Sequence, residues 1–324
     1  MGKLHNVAVA FWAMGASVAL AQAPAAGGYP AKPVRILVGF TPGAGVDIAM
    51  RLMAPKMSDA LGQSIIIDNR PGAGGTIAAA LLANSTPDGT TLYFSDAGFV
   101  TAPGIYEKLP YDPIGGFAPV ANVAALPLAY SVHPSVPATT PAELIALLKA
   151  NPGKYSYGSP GIGTLHHLTV ELLKKQTGIQ MTHVPYKGAA PALVDLVGGQ
   201  IPLAVTSSTA ALAQAGAGKL RVIGLTSRER IASAPNVATM AEGLAGFAAT
   251  NDLFVIAPAG TPPATIARLN AALKTVLAPK EMQDAYLAQG AIVEWTSAEE
   301  ITMRINRDIG RWRAIAKDAS IRAQ

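Results

Sequence analysis

Val34-Arg35-Ile36-Leu37-Val38-Gly39-Phe40-Thr41-Pro42-Gly43-Ala44-Gly45-Val46-Asp47 decides how the rest of the chain reads. A short, largely apolar run is broken at Gly43-Ala44-Gly45, and a helical pattern follows from Val46 to about Leu61. The same order then recurs. Ser64-Ile65-Ile66-Ile67 is strand-like and stops at Asn69-Arg70-Pro71-Gly72; Thr76 to Ala83 is helical; Thr91 to Ser95 is strand again. Further on, Tyr155-Ser156-Tyr157 leads through Gly158 to Gly163 into a helix from about Thr164 to Gln176. Thr182 to Val184 reads as strand, Ala189 to Val197 as helix, and Pro202 to Thr206 and Leu220 to Gly224 as strands. Strands alternating with helices imply an α/β fold of parallel sheets with covering helices.

Helix starts are marked by their caps. Thr140-Pro141-Ala142-Glu143 sets an N-cap, a proline at the first helical position and a capping-box glutamate in order. Ser297-Ala298-Glu299-Glu300 repeats the box, and Thr261-Pro262-Pro263 opens a helix near Thr265 to Leu277. After Ser297 the pattern places Ile301, Ile305, Ile309 and Trp312 on one buried stripe. Arg304, Arg307, Asp308, Arg311 and Arg313 fall on the other face, which is expected to be solvated.

The 324 residues suffice for two domains, and 50% hydrophobic against 14% charged residues excludes a disordered chain. The formal charge of +5 is scattered, without a basic run of four, so no nucleic-acid footprint is expected, while a basic average suits an anionic solute. There is no cysteine, hence no disulfide, thiolate metal site or cysteine nucleophile. Residues 1–23 read as a secretory signal: Lys3, an apolar run from Val7 to Ala21, and small-x-small cleavage patterns near Ala21 to Ala23. The alternative, an uncleaved anchor, needs about 20 apolar residues, more than this run supplies. The mature protein is therefore expected in the periplasm.

Four glycine-rich segments lie between a strand and a helix: Phe40 to Asp47, Arg70 to Thr76, Ser159 to Thr164, and Tyr186 to Pro191. Such loops expose backbone N–H groups at the positive ends of helices, where glycine lets a ligand come close to the backbone. They read either as ordinary turns or as an anion cradle. Other chemistries fit poorly. Gly216-Ala217-Gly218-Lys219 mimics the end of a nucleotide-binding loop, but Ala213 and Leu220 replace its required glycine and hydroxyl. His166, His167 and His183 lack zinc spacing, and Pro160 after Ser159 is incompatible with a nucleophile elbow.

Taken in order, the landmarks Tyr29-Pro30-Ala31-Lys32-Pro33, Pro42-Gly43-Ala44-Gly45-Val46-Asp47, Asn69-Arg70-Pro71-Gly72-Ala73-Gly74-Gly75, Pro87-Asp88-Gly89-Thr90, His183-Val184-Pro185-Tyr186-Lys187-Gly188 and Ala257-Pro258-Ala259-Gly260-Thr261-Pro262 resemble the solute receptors of tripartite tricarboxylate transporters, the Bug receptors. The resemblance runs from about Tyr29 to the final helix. It implies a two-lobed periplasmic-binding-protein fold, type II-like, each lobe a mostly parallel sheet with flanking helices, joined by two crossover strands. Residues 29–127 plus 250–324 would form one lobe and 128–249 the other. It further implies a monomeric receptor with no cofactor and no catalysis, which captures a small organic carboxylate and delivers it to membrane transporter subunits. A ligand-sensing module for a signalling partner, or an enzyme on the same fold, are the alternatives.

Carried over by position, the resemblance assigns ligand contacts to Phe40, Thr41, Gly43, Ala44 and Asp47 in the first loop and to Ser159, Gly161, Gly163, Thr164 and His167 in the second. It also assigns Ser95 and Asp96 at the mouth and Tyr186 and Lys187 opposite them. The sequence departs from the family at Val205-Thr206, where Phe-Asp is common, and at Asp252-Leu253-Phe254, where Trp-Tyr/Phe-Gly is common. With Asp96 and Asp252 gained and one acid lost at Thr206, the ligand is expected to carry a neutral donor or a cationic group besides its carboxylate. The alternative is that both acids face solvent.

Overall fold

The computed structural model describes residues 28–322; the leader read at residues 1–23 lies outside the described residues. The chain opens with β1 (Val34–Val38), α1 (Gly45–Leu61), β2 (Ile65–Asn69), α2 (Thr76–Ala83), β3 (Thr91–Ser95) and α3 (Ala97–Ile105). A long strand, β4 (Phe117–Val132), leads into α4 (Pro141–Ala150), β5 (Ser156–Ser159), α5 (Leu165–Thr177), β6 (Thr182–Pro185), α6 (Ala189–Val197), β7 (Leu203–Ser207), α7 (Ser208–Gly216) and β8 (Arg221–Leu225). The chain then returns through β9 (Thr250–Pro258) to α8 (Pro263–Leu277), α9 (Lys280–Ala288), β10 (Ile292–Val293) and α10 (Ala298–Asp318).

The strands run in the order β2-β1-β3-β9-β4-β7-β5-β6, with β8 and β10 also paired to β4. Only the wings are parallel: β1 with β2 and β3, and β5 with β6 and β7. The middle is antiparallel, because β4 and β9 cross in opposite directions. The sheet is thus mixed, parallel in each wing as expected and antiparallel where the two strands cross. β4 pairs with β9 from Phe117 to Pro127 and with β7 from Leu128 to Val132. Proline removes a ladder donor and is poorly tolerated in central strands. Pro119 sits beside a bulge, and Pro127 sits where β4 changes partner, so neither breaks the strand.

Helices cover both faces. On one, α1 and α8 bury Met50, Met53, Leu269 and Leu273 against Ile36, Leu253 and Val255. On the other, the stripe Ile301, Ile305, Ile309 and Trp312 of α10 packs with Phe99 and Phe254. Each of these side chains contributes about 1.5–3 kcal/mol of burial. The α10 capping box is complete, with Ser297 Oγ accepting from the Glu300 N–H (3.1 Å) and Glu300 accepting from the Ser297 N–H (2.9 Å). At α4, Thr140 caps as expected, but the Glu143 carboxylate turns to the Thr139 N–H and hydroxyl, one residue upstream. The polar face of α10 is not uniformly solvated. Arg304 is 13% exposed, held by Asp252 at 3.1 Å and Glu294 at 2.7 Å.

Candidate functional site

All four glycine-rich segments follow the carboxyl ends of parallel strands, the edge at which open α/β sheets take ligands. Register fixes how the two sets face each other. Val38 lies level with Phe94, so the residues after β1 and β3 emerge side by side. Beyond β3, Asn251 of β9 accepts from the Ala97 N–H at 2.8 Å and donates to Asp96 at 3.5 Å. Thr250 pairs with Pro127, and Leu128 pairs with Ser207 at the end of β7. The ends of β3 and β7 therefore flank the same few residues of the crossing strands. Gly158 pairs with Ala204, which places Ser159 one strand further out. Phe40, Thr41, Gly43, Ala44, Ser95 and Asp96 thus line one edge, and Ser159, Gly161, Gly163, Thr164 and Thr206 the other.

The first loop is held from behind. Asp47 is 1% exposed, and its Oδ2 accepts from the Gly43 N–H and Arg51 Nε, both at 2.8 Å. Its Oδ1 accepts from Asn69 Nδ2 at 2.8 Å, and the same amide reaches the Phe40 carbonyl at 3.0 Å. Burial alone would raise the Asp47 pKa; Arg51, the Gly43 amide and Asn69 outweigh it and hold it at about 2. Asp47 is therefore expected to shape the loop rather than touch a ligand, and the Gly43 amide is already engaged. Thr41, Gly43 and Gly45 remain exposed, and Phe40 is half-buried against the core. Gly39 permits the loop's path: a methyl there would lie 2.7 Å from the Gly75 Cα.

The second loop is built the same way. Thr164 caps α5 and donates to the Gly161 carbonyl at 2.8 Å. His167 Nδ1 accepts from the Gly163 N–H at 3.1 Å. Its ring stacks on His183 at 3.8 Å, and His183 stacks on Tyr157 at 4.9 Å. His183 Nε2 lies 2.7 Å from Ser159 Oγ, and Tyr157 donates to Glu171 at 2.9 Å. Burial lowers both histidines to about 4, so they are neutral near pH 7. Gly163, at φ 74°, faces α3, whose strand β3 lies on the far side of the crossing strands: a methyl there would lie 3.1 Å from Ile105 Cδ1.

The remaining expected contacts divide. Ser95 is fully buried, and Asp96 is 9% exposed and caps α3 by accepting from the Gly98 N–H at 2.9 Å. Burial raises the Asp96 pKa to about 6 against the pull of Gly98 and Asn251. Thr206 is fully buried, its hydroxyl without a partner among the described residues. Tyr186 turns its hydroxyl to Asp195 at 2.7 Å, away from the mouth. Lys187 is exposed and makes no ion pair among the described residues. Asp252 does not join the others; Arg304 and the Thr250 hydroxyl hold it against α10. Asn69, His183 and Asn251, which position these loops, were not assigned roles from the sequence; Asn69 and His183 lay within quoted motifs.

Three helices start in these loops without a side-chain cap, α1 at Ala44, α2 at Gly75 and α6 at Gly188, and α7 starts without one directly after β7, at Ser207. Their first N–H groups are left to solvent or to an anion. Among the described residues no cluster of His, Asp and Glu could hold a metal ion.

Facing loop edges on a mixed sheet crossed twice define a two-lobed solute-binding protein, a receptor rather than an enzyme. The chain belongs to the tripartite tricarboxylate transporter family of receptors, whose family model matches residues 49–321. It is 34% identical over 306 residues to the protein BugT of Bordetella pertussis, covering 94% of each chain. Among solved structures it is similar to R. palustris Rpa4515 with adipate, at 34% identity and TM-score 0.75, covering 91% of this chain and 99% of that one. It is also similar to MatC from Rhodopseudomonas palustris with bound malate, at 29% identity and TM-score 0.71, covering 89% and 99%.

Proposed function

We propose that the protein captures a small organic carboxylate between its lobes in the periplasm, as a monomer, and presents it to the subunits of a membrane transporter. The observation that carries this reading is that the loops after β1 and β3 and those after β5 and β7 open on either side of the crossing strands, with uncapped helix starts at α1 and α7 among them. Each such end favours an anion by about 0.3–1 kcal/mol, more when partly buried. With hydrogen bonds from the Thr41 and Ser207 hydroxyls and the charge of Lys187, micromolar binding, about 8 kcal/mol, is within reach. Thr41, Ala44, Gly161, Ser207 and Lys187 are the direct contacts in this reading. Asp47, Ser159, Thr164, His167 and Tyr186 hold them in place.

Relatives with adipate and malate point to a carboxylate of four to six carbons. Asp96 adds a discriminating group. With its pKa near 6 it donates to a neutral oxygen when protonated and accepts from a hydroxyl or ammonium group when ionised. A ligand with such a group beside its carboxylate is preferred over a plain dicarboxylate.

Titration calorimetry with adipate, malate, aspartate and the diamide of adipate tests this. Saturable binding of at least one acid but not the diamide is expected. Binding of the diamide as tightly as the acid, or no binding of any acid below millimolar concentration, would rule the reading out.

A further inference from the structure

A cavity of about 1010 Å³ lies on the α10 side of the crossing strands, away from the loops just described. Its floor is apolar, made by Val100, Phe254, Ile301, Ile305 and Trp312. One wall is the segment Ser227–Ala232, which follows β8; the facing wall is the polar side of α10. Ligand sites usually combine such an apolar base with a few convergent polar groups, in about 300–1,000 Å³.

The charges around it do not all cancel. Arg304 is matched by Asp252 and Glu294, Arg307 by Asp308, Arg230 by Glu242, and Lys280 by Asp284. Arg228 on one wall and Arg311 on the other have no ion pair among the described residues. Glu229, the remaining unmatched acid, is exposed next to Arg228. The Arg311 guanidinium lies over the Trp312 ring at 4.8 Å. Burial lowers its pKa, and Arg307 and Arg228 oppose its charge while Asp308 supports it. Ser227 is 5% exposed, and its buried hydroxyl, which lines the same cavity, has no partner among the described residues. A buried hydroxyl without a partner is costly, as is a partly buried cation without an anion.

We infer that this cavity is a second anion site, which takes a carboxylate with an extended apolar body, its head held between Arg228 and Arg311 and beside Ser227, its chain on the Phe254–Trp312 floor. Guanidinium groups match a carboxylate with paired hydrogen bonds. Because Arg228 and Arg311 belong to opposite lobes, an occupant bridges them.

Octanoate, octan-1-ol and acetate are suitable probes, titrated into the whole protein by calorimetry. Octanoate is expected to bind at one saturable site, while octanol, without the charge, and acetate, without the chain, bind at least tenfold more weakly. Arg228→Gln and Arg311→Gln should each weaken octanoate at least tenfold, with unchanged circular dichroism and unchanged binding of any dicarboxylate held by the loops. The inference does not rest on the proposed function: octanoate binding needs no occupant between the loops. No saturable binding of octanoate, binding indifferent to both substitutions, or displacement of octanoate by a loop-bound dicarboxylate in simple competition would each overturn it.

Discussion

Asp47→Asn tests how the first loop is held. The carboxylate receives three donors: the Gly43 amide and Arg51 Nε on one oxygen, Asn69 Nδ2 on the other, all at 2.8 Å. An asparagine keeps the shape but turns one oxygen into a donor, so at least one of the three meets another N–H. Hydrogen bonds to a charged group are worth about 1.5–3 kcal/mol, and a donor left unmatched in a buried place adds to the loss. A loss of about 2 kcal/mol at pH 7 follows, read as a lower urea midpoint at unchanged slope. The pH dependence is specific. The folded pKa, about 2, lies below the unfolded value near 3.9, so the carboxylate's contribution is complete above about pH 5 and fades as pH falls toward 2. The gap between wild type and variant should therefore narrow from pH 5 to pH 2. Equal stability at pH 7, or a gap that does not change with pH, would refute the account.

Three further expectations concern other parts of the molecule. Arg304→Met leaves Asp252 facing α10 without its cation and should cost about 3 kcal/mol in urea unfolding, with the double variant Asp252→Leu/Arg304→Met recovering much of it; a loss under 1 kcal/mol in the single variant would contradict the ion pair. His167 and His183 have folded pKa values near 4, below the free value of about 6.5, so the unfolded chain takes up protons first and stability falls as pH drops from about 6.5 to 4. His183→Phe keeps the stack and removes one titration, so its stability should fall less steeply than wild type over that range; equal slopes would show that His183 is not held neutral. Gly290, at φ 76°, faces the Thr209 hydroxyl of α7 so closely that no methyl fits. Gly290→Ala should cost at least 1–2 kcal/mol by thermal denaturation, roughly the penalty of the left-handed backbone alone; a variant as stable as wild type would mean the turn is free to move.

Segments with a clean period and a cap were legible in the sequence. β1, the glycine turn and α1 emerged within a residue of their observed limits, as did the capping box that starts α10. β4 and α3 did not. Their residues include Pro119, Pro127, Pro103 and Gly104, which argue locally against strand or helix. What overrides them is tertiary: partners on both edges of β4, and α10 packed along α3. The site shows a related limit. Glycines marked the turns from strand to helix, because such turns need them. The direction of each polar side chain could not be read, since it depends on a distant partner. Asp47 is turned by Asn69, His167 is locked by Gly163 and His183, Tyr186 is drawn off by Asp195, and Asp252 is drawn off by Arg304.

One apolar cluster runs without interruption from Leu37 and Tyr93 through Phe254, Tyr130 and Phe247 to Leu168 and Val205, so it spans the crossing strands from one wing of the sheet to the other. The two wings of the sheet share this interior, while the cluster around Met50 and Leu269 belongs to the β1 wing alone. Heat should then melt the two together, with a calorimetric enthalpy equal to the van't Hoff value and no plateau between transitions. Swinging the wings far apart would open that shared interior to water, so wide opening is resisted.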